Sequence, residues 1–302
     1  MSDTTASLRR KIDSAGDLQS VVRTMKALAA SSIGQYERSV LALTDYYRTV
    51  ELGLSVCLPA SPLRGSGESR KGTADERSIG AVVFGSDQGL VGPFNEVVAE
   101  CAKRSLATLP GTPQVWAVGG RVHSRLVDAG LPPAGLFPVP TSVAGITSLV
   151  GQILVTSEAH HDAAQVAELH LFFNRRTSGA AYAAASEQLL PLDEPWRAKI
   201  TKVAWPTKRV PQVMGDVTAT LRFLIREYLF VSLFRACAES LASENASRLA
   251  AMQRADKNIE DLLDTLKGTF HRLRQTSIDE ELFDVISGFE ALSKRKVHPG
   301  DG

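Results

Sequence analysis

Most of what would mark this chain as an enzyme or a nucleic-acid binder is missing. It has three cysteines, Cys57, Cys101 and Cys237, far apart in 302 residues. No C-x-x-C pair occurs, which argues against a zinc site or a redox pair and suits a reducing compartment. Charge of one sign is also missing: 34 basic residues face 33 acidic ones, for a net charge of +1. That excludes a protein whose main business is to coat nucleic acid. No apolar run is long enough to span a bilayer. The start, Met1 to Arg10, lacks the apolar stretch of a signal peptide, and Asp3, Asp13 and Asp17 speak against a transit peptide. Neither G-x-G-x-x-G nor a Walker A motif occurs.

Proline and glycine are scarce at both ends of the chain, and there the apolar residues are periodic. Between about Gln212 and Leu292 no proline interrupts the sequence. Apolar residues recur there at steps of four and three as Ile259, Leu263, Leu266, Phe270 and Leu273. They resume as Ile278, Leu282, Val285, Phe289 and Leu292. This is a coiled-coil seam. A helix of roughly 80 residues, at ~1.5 Å per residue, is about 120 Å long, which suits a shaft or lever better than a compact enzyme. The first sixty residues carry a matching stripe of Val22, Met25, Ala29, Ile33, Tyr36, Val40, Leu43, Tyr47, Val50 and Leu54. Neither helix can bury its stripe alone, so the two are expected to bury them on each other.

Between the helices the pattern changes. Pro59 to Arg77 reads as a linker rich in proline, glycine and serine. Ile79–Phe84, Gln114–Val118, Gly135–Pro140 and Ala167–Phe173 read as strands. Asn95–Thr108, Val122–Ala129 and Ile146–His161 read as helices. Ala180–Leu190 reads as a further strand after a turn at Thr177 to Gly179. Such alternation predicts a parallel sheet flanked by helices. Prolines 191, 195, 206 and 211 mark the exit. The fold class expected is therefore α/β: a long antiparallel coiled coil of N- and C-terminal helices plus an inserted Rossmann-like α/β domain. Its divisions are 1–58, 59–211 and 212–302.

Candidate chemistry is sparse. Gly85, Gly89 and Gly92 follow the first strand, where a Rossmann sheet binds phosphate, but their spacing is G-x-x-x-G-x-x-G. A tight turn packing strand to helix explains them better than a nucleotide site. His160 and His161 are adjacent, whereas helical metal ligands sit three or four apart, so a solvated helix end fits better. Ser86 and Asp87 lack the context of a nucleophile elbow. Arg175 and Arg176 could hold an anion, although a solvated hairpin is the simpler account. Ser243, Glu244, Asn245 and Arg248, and further on Arg272, Arg274, Gln275 and Glu280, form polar faces on the last helix. Such runs usually meet solvent, but on a shaft inside a sleeve they would be the contacts.

Several motifs are familiar. LASENASRLAAM from Leu241 to Met252 resembles a signature of the gamma subunit of F-type ATP synthases. RQTSIDEELFDVISG from Arg274 to Gly288 is similar to that family's R-Q-x-x-I-T-x-E-L-x-E-I-v-x-G. Arg274, Gln275, Ile278, Glu281, Leu282, Ile286 and Gly288 follow it, and Asp279 stands where threonine is usual. SDQGLVGPFN from Ser86 to Asn95 resembles S-D-R-G-L-C-G-G-x-N, with Pro93 in place of a glycine. Leu8 to Ile12 and Thr24 to Ser31 fit the family's opening helix. The resemblance covers both ends and the start of the middle domain. The departures, with the extended tail from Ser293 to Gly302, suit a divergent or alternate branch.

The resemblance implies a rotor: a central stalk whose coil penetrates an alpha3-beta3 hexamer, with its α/β domain on a ring of c subunits beside the epsilon subunit. It implies ion-driven ATP synthesis or hydrolysis at partner beta subunits, and no catalytic residue, cofactor or metal on this chain. No nucleic acid is implied. Membrane association comes through the complex, as a peripheral subunit on the cytoplasmic face of a bacterial plasma membrane. By motif match, Arg248, Arg274, Gln275 and Asp279 are the implied hexamer contacts, with Met25 and Lys26 on the first helix. Asp87 and Asn95 would face epsilon or the ring. The competing reading is a Rossmann-like nucleotide-binding enzyme with helical dimerisation arms, and a plain coiled-coil tether ranks last.

Overall fold

Asp216 decides where the last helix begins. Its carboxylate accepts hydrogen bonds from the Thr218 and Ala219 amides at 3.1 and 3.0 Å, satisfying two donors that a helix start leaves open. Gly215 just before it has φ +90°, a conformation that favours glycine. The helix therefore runs Val217–Arg295 instead of starting directly after Pro211. The computed structural model describes residues 4–60, 79–162, 168–177, 180–209 and 211–295. The expected linker residues 61–78, the turn residues 178 and 179 and the tail 296–302 lie outside them.

The elements in order are α1 (Thr5–Ala60), β1 (Ile79–Phe84), α2 (Phe94–Leu106), β2 (Pro113–Val118), α3 (Gly120–Asp128), β3 (Gly135–Phe137), α4 (Val143–Asp162), β4 (Glu168–Thr177), β5 (Ala180–Leu190), α5 (Glu194–Thr201) and α6 (Val217–Arg295). The chain divides into two compact units: the first 27 residues with those from Met252 onward, and Leu28–Ala251. Among the described residues no helix is long and apolar enough to cross a membrane.

In the first unit α1 and α6 run antiparallel, with Lys26 against Asp256 and Leu18 sharing an open groove with Leu262 and Leu266. Leu8, Ala15 and Val22 are buried on one helix, and Met252, Ile259 and Leu263 on the other. The seven-residue step extends the sequence stripe back past Val22. Ala15 is too small, and too closely flanked by polar residues, for the pattern to reveal it. The seam fades after Leu273: Ile278, Leu282, Val285 and Phe289 are 54–74% exposed. They had been expected in the seam, and the reason they are not is length. With Lys26 opposite Asp256, α1 reaches its first residue, Thr5, when α6 has advanced only to about residue 277. The side chain of Leu292 lies outside the described residues.

The second unit holds a five-stranded sheet in the order β3-β2-β1-β4-β5. The first four strands are parallel. β5 departs from the parallel expectation and pairs antiparallel with β4, because no crossover helix separates them to turn the chain around. Both faces are covered. Ala81, Val83 and Phe172 pack with Val98, Val122 and Leu126 of α2 and α3. Val82, Phe84, Leu171 and Phe173 pack with α4 and with Leu233, Ala236, Cys237 and Leu241 of α6, joined by Tyr36 of α1. Two-sided burial explains why β1 reads as a continuous apolar run. In this unit too α1 and α6 are antiparallel: Tyr46 donates to Glu227 at 2.6 Å, and Val50 and Leu54 pack with Leu221.

The sequence pattern did not reveal α5. Its four neighbouring prolines look like a breaker, but Pro195 sits in the first helical turn and Asp193 caps the Trp196 amide at 2.9 Å, where proline is at home.

Burial sets the cost of truncation. Leu171→Ala, at a fully buried position, is expected to lower stability by about 2–5 kcal/mol. Leu282→Ala, on the exposed run, should stay within about 0.5 kcal/mol. Urea unfolding of the two variants checks both; similar losses would contradict the end of the seam at Leu273.

Candidate partner-contact sites

The sequence-predicted residues fall in three places. The first is the loop after β1. A Cβ on Gly85 would lie 2.3 Å from Val122 Cβ, so the strand approaches α3 too closely for any side chain. Asn95, 6% exposed, holds the loop from below: its Oδ1 accepts from the Ser86 amide at 2.9 Å and its Nδ2 donates to Ser86 Oγ at 2.9 Å. Ser86 Oγ in turn donates to the Gln88 carbonyl at 2.9 Å. Asp87 is exposed, yet its carboxylate accepts from the Gly120 amide at 2.7 Å and from the Val139 amide at 2.8 Å.

The glycine-rich segment is thus a packing turn. The Arg121 amide donates to the Ser86 carbonyl at 2.9 Å. With Asp87 on Gly120, the opening amides of α3, where an anion would bind, are already occupied. Beside the loop, an open cleft of about 680 Å³ is lined by Gly89, Gly92, Glu96, Arg121 and Arg125, with Arg125 paired to Glu96 at 2.9 Å.

The second place is the middle of α6. Arg248 is 9% exposed and donates to Glu244 Oε1 at 2.5 Å and to Asn245 Oδ1 at 3.3 Å. Burial pushes the Glu244 carboxyl pKa up, and Arg248 offsets only part of that push. The same burial, with Glu244 nearby, raises the Tyr36 phenol. Of the polar face read from the sequence here, Ser243 and Glu244 are buried and Asn245 is half-buried, so this is an interior cluster, because β1's loop and α1 cover it: Ser247 Oγ donates to the Val91 carbonyl.

The third place lies in the first unit. Met25 and Lys26 are half-buried. Lys26 Nζ lies 2.6 Å from Asp256 Oδ2, and Arg23 Nε and Gln19 Nε2 reach the other oxygen at 3.2 and 3.3 Å. The Lys26 hydrogen bond leads in drawing the Asp256 carboxyl pKa down. Asp256 was not singled out from the sequence; the signal was a lone acid facing Arg23 and Lys26 across the expected seam. Farther along α6, Arg274, Gln275 and Asp279 are exposed, among the uncovered Ile278, Leu282, Phe283 and Ile286.

The hairpin arginines are solvent-accessible, as a solvated hairpin requires, but both are paired: Arg175 with Glu187 and Glu239, and Arg176 with Glu37 of α1. Carboxylates on β5, α6 and α1 face them across the hairpin. The side chains of His160 and His161 lie outside the described residues.

A sheet inserted between two antiparallel terminal helices recurs in chains of solved ATP synthase assemblies. A chain of the Euglena gracilis mitochondrial ATP synthase OSCP/F1/c-ring assembly has the same fold, with TM-score 0.63 and 16% identity over 98% of this chain and 97% of that one. A chain of the Tetrahymena thermophila mitochondrial ATP synthase central stalk and c-ring matches at TM-score 0.53 and 20% identity, over 78% and 99%. The profile of the ATP synthase family matches residues 4–292, and the chain belongs to that family, among its gamma chains. The ATP synthase gamma chain of Granulibacter bethesdensis is 28% identical over 300 residues, covering 94% of this chain and 98% of that one. That of Chloroflexus aurantiacus is 24% identical over 292 residues, covering 95% and 98%. Membership sets aside the reading as a nucleotide-binding enzyme with dimerisation arms.

Two outcomes follow from the geometry. Asn95→Leu leaves the buried Ser86 amide without its acceptor and the Ser86 hydroxyl with the Gln88 carbonyl alone, and should cost about 2 kcal/mol or more, read by urea unfolding; a neutral variant would contradict the loop-post role. Glu244 titrates at a higher pH in the fold than in the unfolded chain, so the folded state holds its proton longer. Its stability contribution is fully present below the ordinary carboxylate value of 4.5 and declines as pH rises through the raised folded pKa. Urea midpoints measured upward from that pH should fall more steeply in the wild type than in Glu244→Gln; parallel slopes would contradict the assignment.

Proposed function

We propose that this chain is the rotor of the central stalk, carrying torque between a membrane ring of c subunits and the beta subunits of an alpha3-beta3 hexamer. Ion flow through the ring is thereby coupled to ATP synthesis or hydrolysis at the beta subunits, and the chain itself has no catalytic role. The epsilon subunit stands beside its α/β domain. The complex sits on a bacterial plasma membrane with this subunit peripheral, on the cytoplasmic face. Residues 59–211 carry the inserted α/β body with its linkers, between the N-terminal coil helix of 1–58 and the C-terminal coil helix and tail of 212–302.

The observation that carries this reading is the exposed end of α6. Beyond Leu273 the helix keeps its apolar spacing, with Ile278, Leu282 and Val285 more than half exposed. A stripe this long needs a partner outside the chain. Arg274, Gln275 and Asp279 stand on that same stretch and supply its polar contacts to the hexamer. Exposed polar contacts of this kind are individually weak, which suits a surface that must release at every step. Met25 adds a contact from α1. Lys26 and Arg248 act from their ion pairs with Asp256 and Glu244. Asp87 and Asn95 shape the loop that faces epsilon or the ring. Identities of 24–28% to the named gamma chains support a divergent branch.

A tagged copy drawn from native membranes should bring down two larger subunits with magnesium-dependent ATPase activity. A copy ending before Arg274 should assemble weakly or uncouple, while its middle domain stays folded by circular dichroism. Recovery of the chain alone, or unchanged coupling after truncation, would overturn the reading.

A further inference from the structure

The sheet body meets the coil through an apolar face, and apolar packing is non-directional. Its interlocked side chains resist separation and sliding, but none of its contacts has the bond direction that a hydrogen bond has. At the border of that face lies a closed set of charges. Arg175, on β4, continues the row of Leu169, Leu171 and Phe173 that faces α6. It donates from Nε to Glu239 Oε2 of α6 at 2.5 Å and from Nη2 to Glu187 Oε1 of β5 at 2.7 Å. Arg235, one helical turn before Glu239, reaches both Glu187 oxygens at 3.1 and 2.8 Å, and its Nε lies 3.8 Å from Glu239 Oε1. Two guanidiniums and two carboxylates thus close a neutral ring across β4, β5 and α6.

Aromatic rings cover both cations. The Arg175 guanidinium stands 5.1 Å from the Phe173 ring, and that of Arg235 stands 5.6 Å from the Tyr47 ring of α1. Burial works against the Arg175 charge, but the hydrogen bonds to Glu239 and Glu187 outweigh it and raise the guanidinium pKa. Neighbouring Arg176 pairs with Glu37 of α1. The hairpin is therefore tied to both long helices by charge-assisted hydrogen bonds, whose strength depends on orientation.

We propose that the ring of Arg175, Glu187, Arg235 and Glu239 is a torsional lock that fixes the angle of the sheet body on the coil, making these four the positioning residues for torque transfer. The proposal rests on the rotor reading. If torque enters at the α/β body and leaves through the coil, it must cross this junction, and the ring adds directional, charge-assisted bonds to its apolar packing.

The test uses the assembled complex in sealed vesicles, comparing the wild type with Glu187→Gln/Glu239→Gln. ATP hydrolysis should stay near the wild-type rate. Ion uptake per ATP hydrolysed should fall by about threefold or more, because the substitution removes the charge-assisted bonds that join the hairpin to the helix. Glu187→Asp/Glu239→Asp, which keeps the charges, should recover most of the ratio and is read instead if the glutamine variant fails to assemble. In the aspartate variant the ratio should fall further between about 0.05 and 0.3 M salt as screening grows. Arg125→Gln, which breaks a surface pair within the α2–α3 layer, should change nothing. An unchanged ratio in the glutamine variant, or no recovery with aspartate, overturns the lock while leaving the rotor reading intact. A wild-type complex that hydrolyses ATP without ion uptake overturns the rotor reading and the lock with it.

Discussion

Everything in this chain depends on a stripe that one helix cannot bury by itself. In α1 the residues Leu8, Ala15, Val22, Ala29, Tyr36, Val50 and Cys57 are buried, all on a seven-residue step. A single helix has no inside, so such a line is stable only against a second surface. In both units that surface is α6, running the other way. The middle of α6 has a further duty: Leu233, Ala236, Cys237 and Leu241 pack against the sheet. One helix thus serves as coil strand and as a covering layer of an α/β body.

Polar groups supply what apolar contact cannot, namely a fixed register. Asp256 gathers Gln19, Arg23 and Lys26 and sets which turn of α1 faces which turn of α6. Asp87 and Asn95 spend their hydrogen-bonding capacity on the loop after β1. The arginines and glutamates at the hairpin border tie strands to helix. The buried Glu244–Arg248 pair carries a cost in desolvation and specifies one arrangement of the cluster beneath Tyr36. A shaft needs stiffness of this kind inside and weak contacts outside.

Much of the fold could be read from residue order. β1 and β5 carry the bounds that the apolar runs suggest, because both strands end at glycine or proline punctuation. The long helices were visible for the same reason in reverse, since proline and glycine are rare within them. The misses have physical causes as well. α5 was hidden because Pro195 signals a break as readily as a first helical turn. Its helical reading depends on Asp193 reaching the Trp196 amide, a contact that spacing alone does not reveal. The candidate contacts divided similarly. Arg274, Gln275 and Asp279 stand exposed, whereas Arg248 and Lys26 proved to be engaged with Glu244 and Asp256, one of which lies on the opposite helix.

The sequence by itself determined the periodicities: a seven-residue line at each end and two-sided strands between. Those are local properties, set by which residues can share a helix face or a strand. Only the tertiary structure decided where the seam stops, because that depends on the 56-residue length of α1 against the 79 of α6 and on their register. It alone decided that the polar face of Glu244 and Arg248 is interior while the apolar run from Ile278 to Phe289 is exposed. Burial depends on what lies opposite, and the facing residues lie far apart in the chain, 230 positions for Lys26 and Asp256 and 156 for Val91 and Ser247.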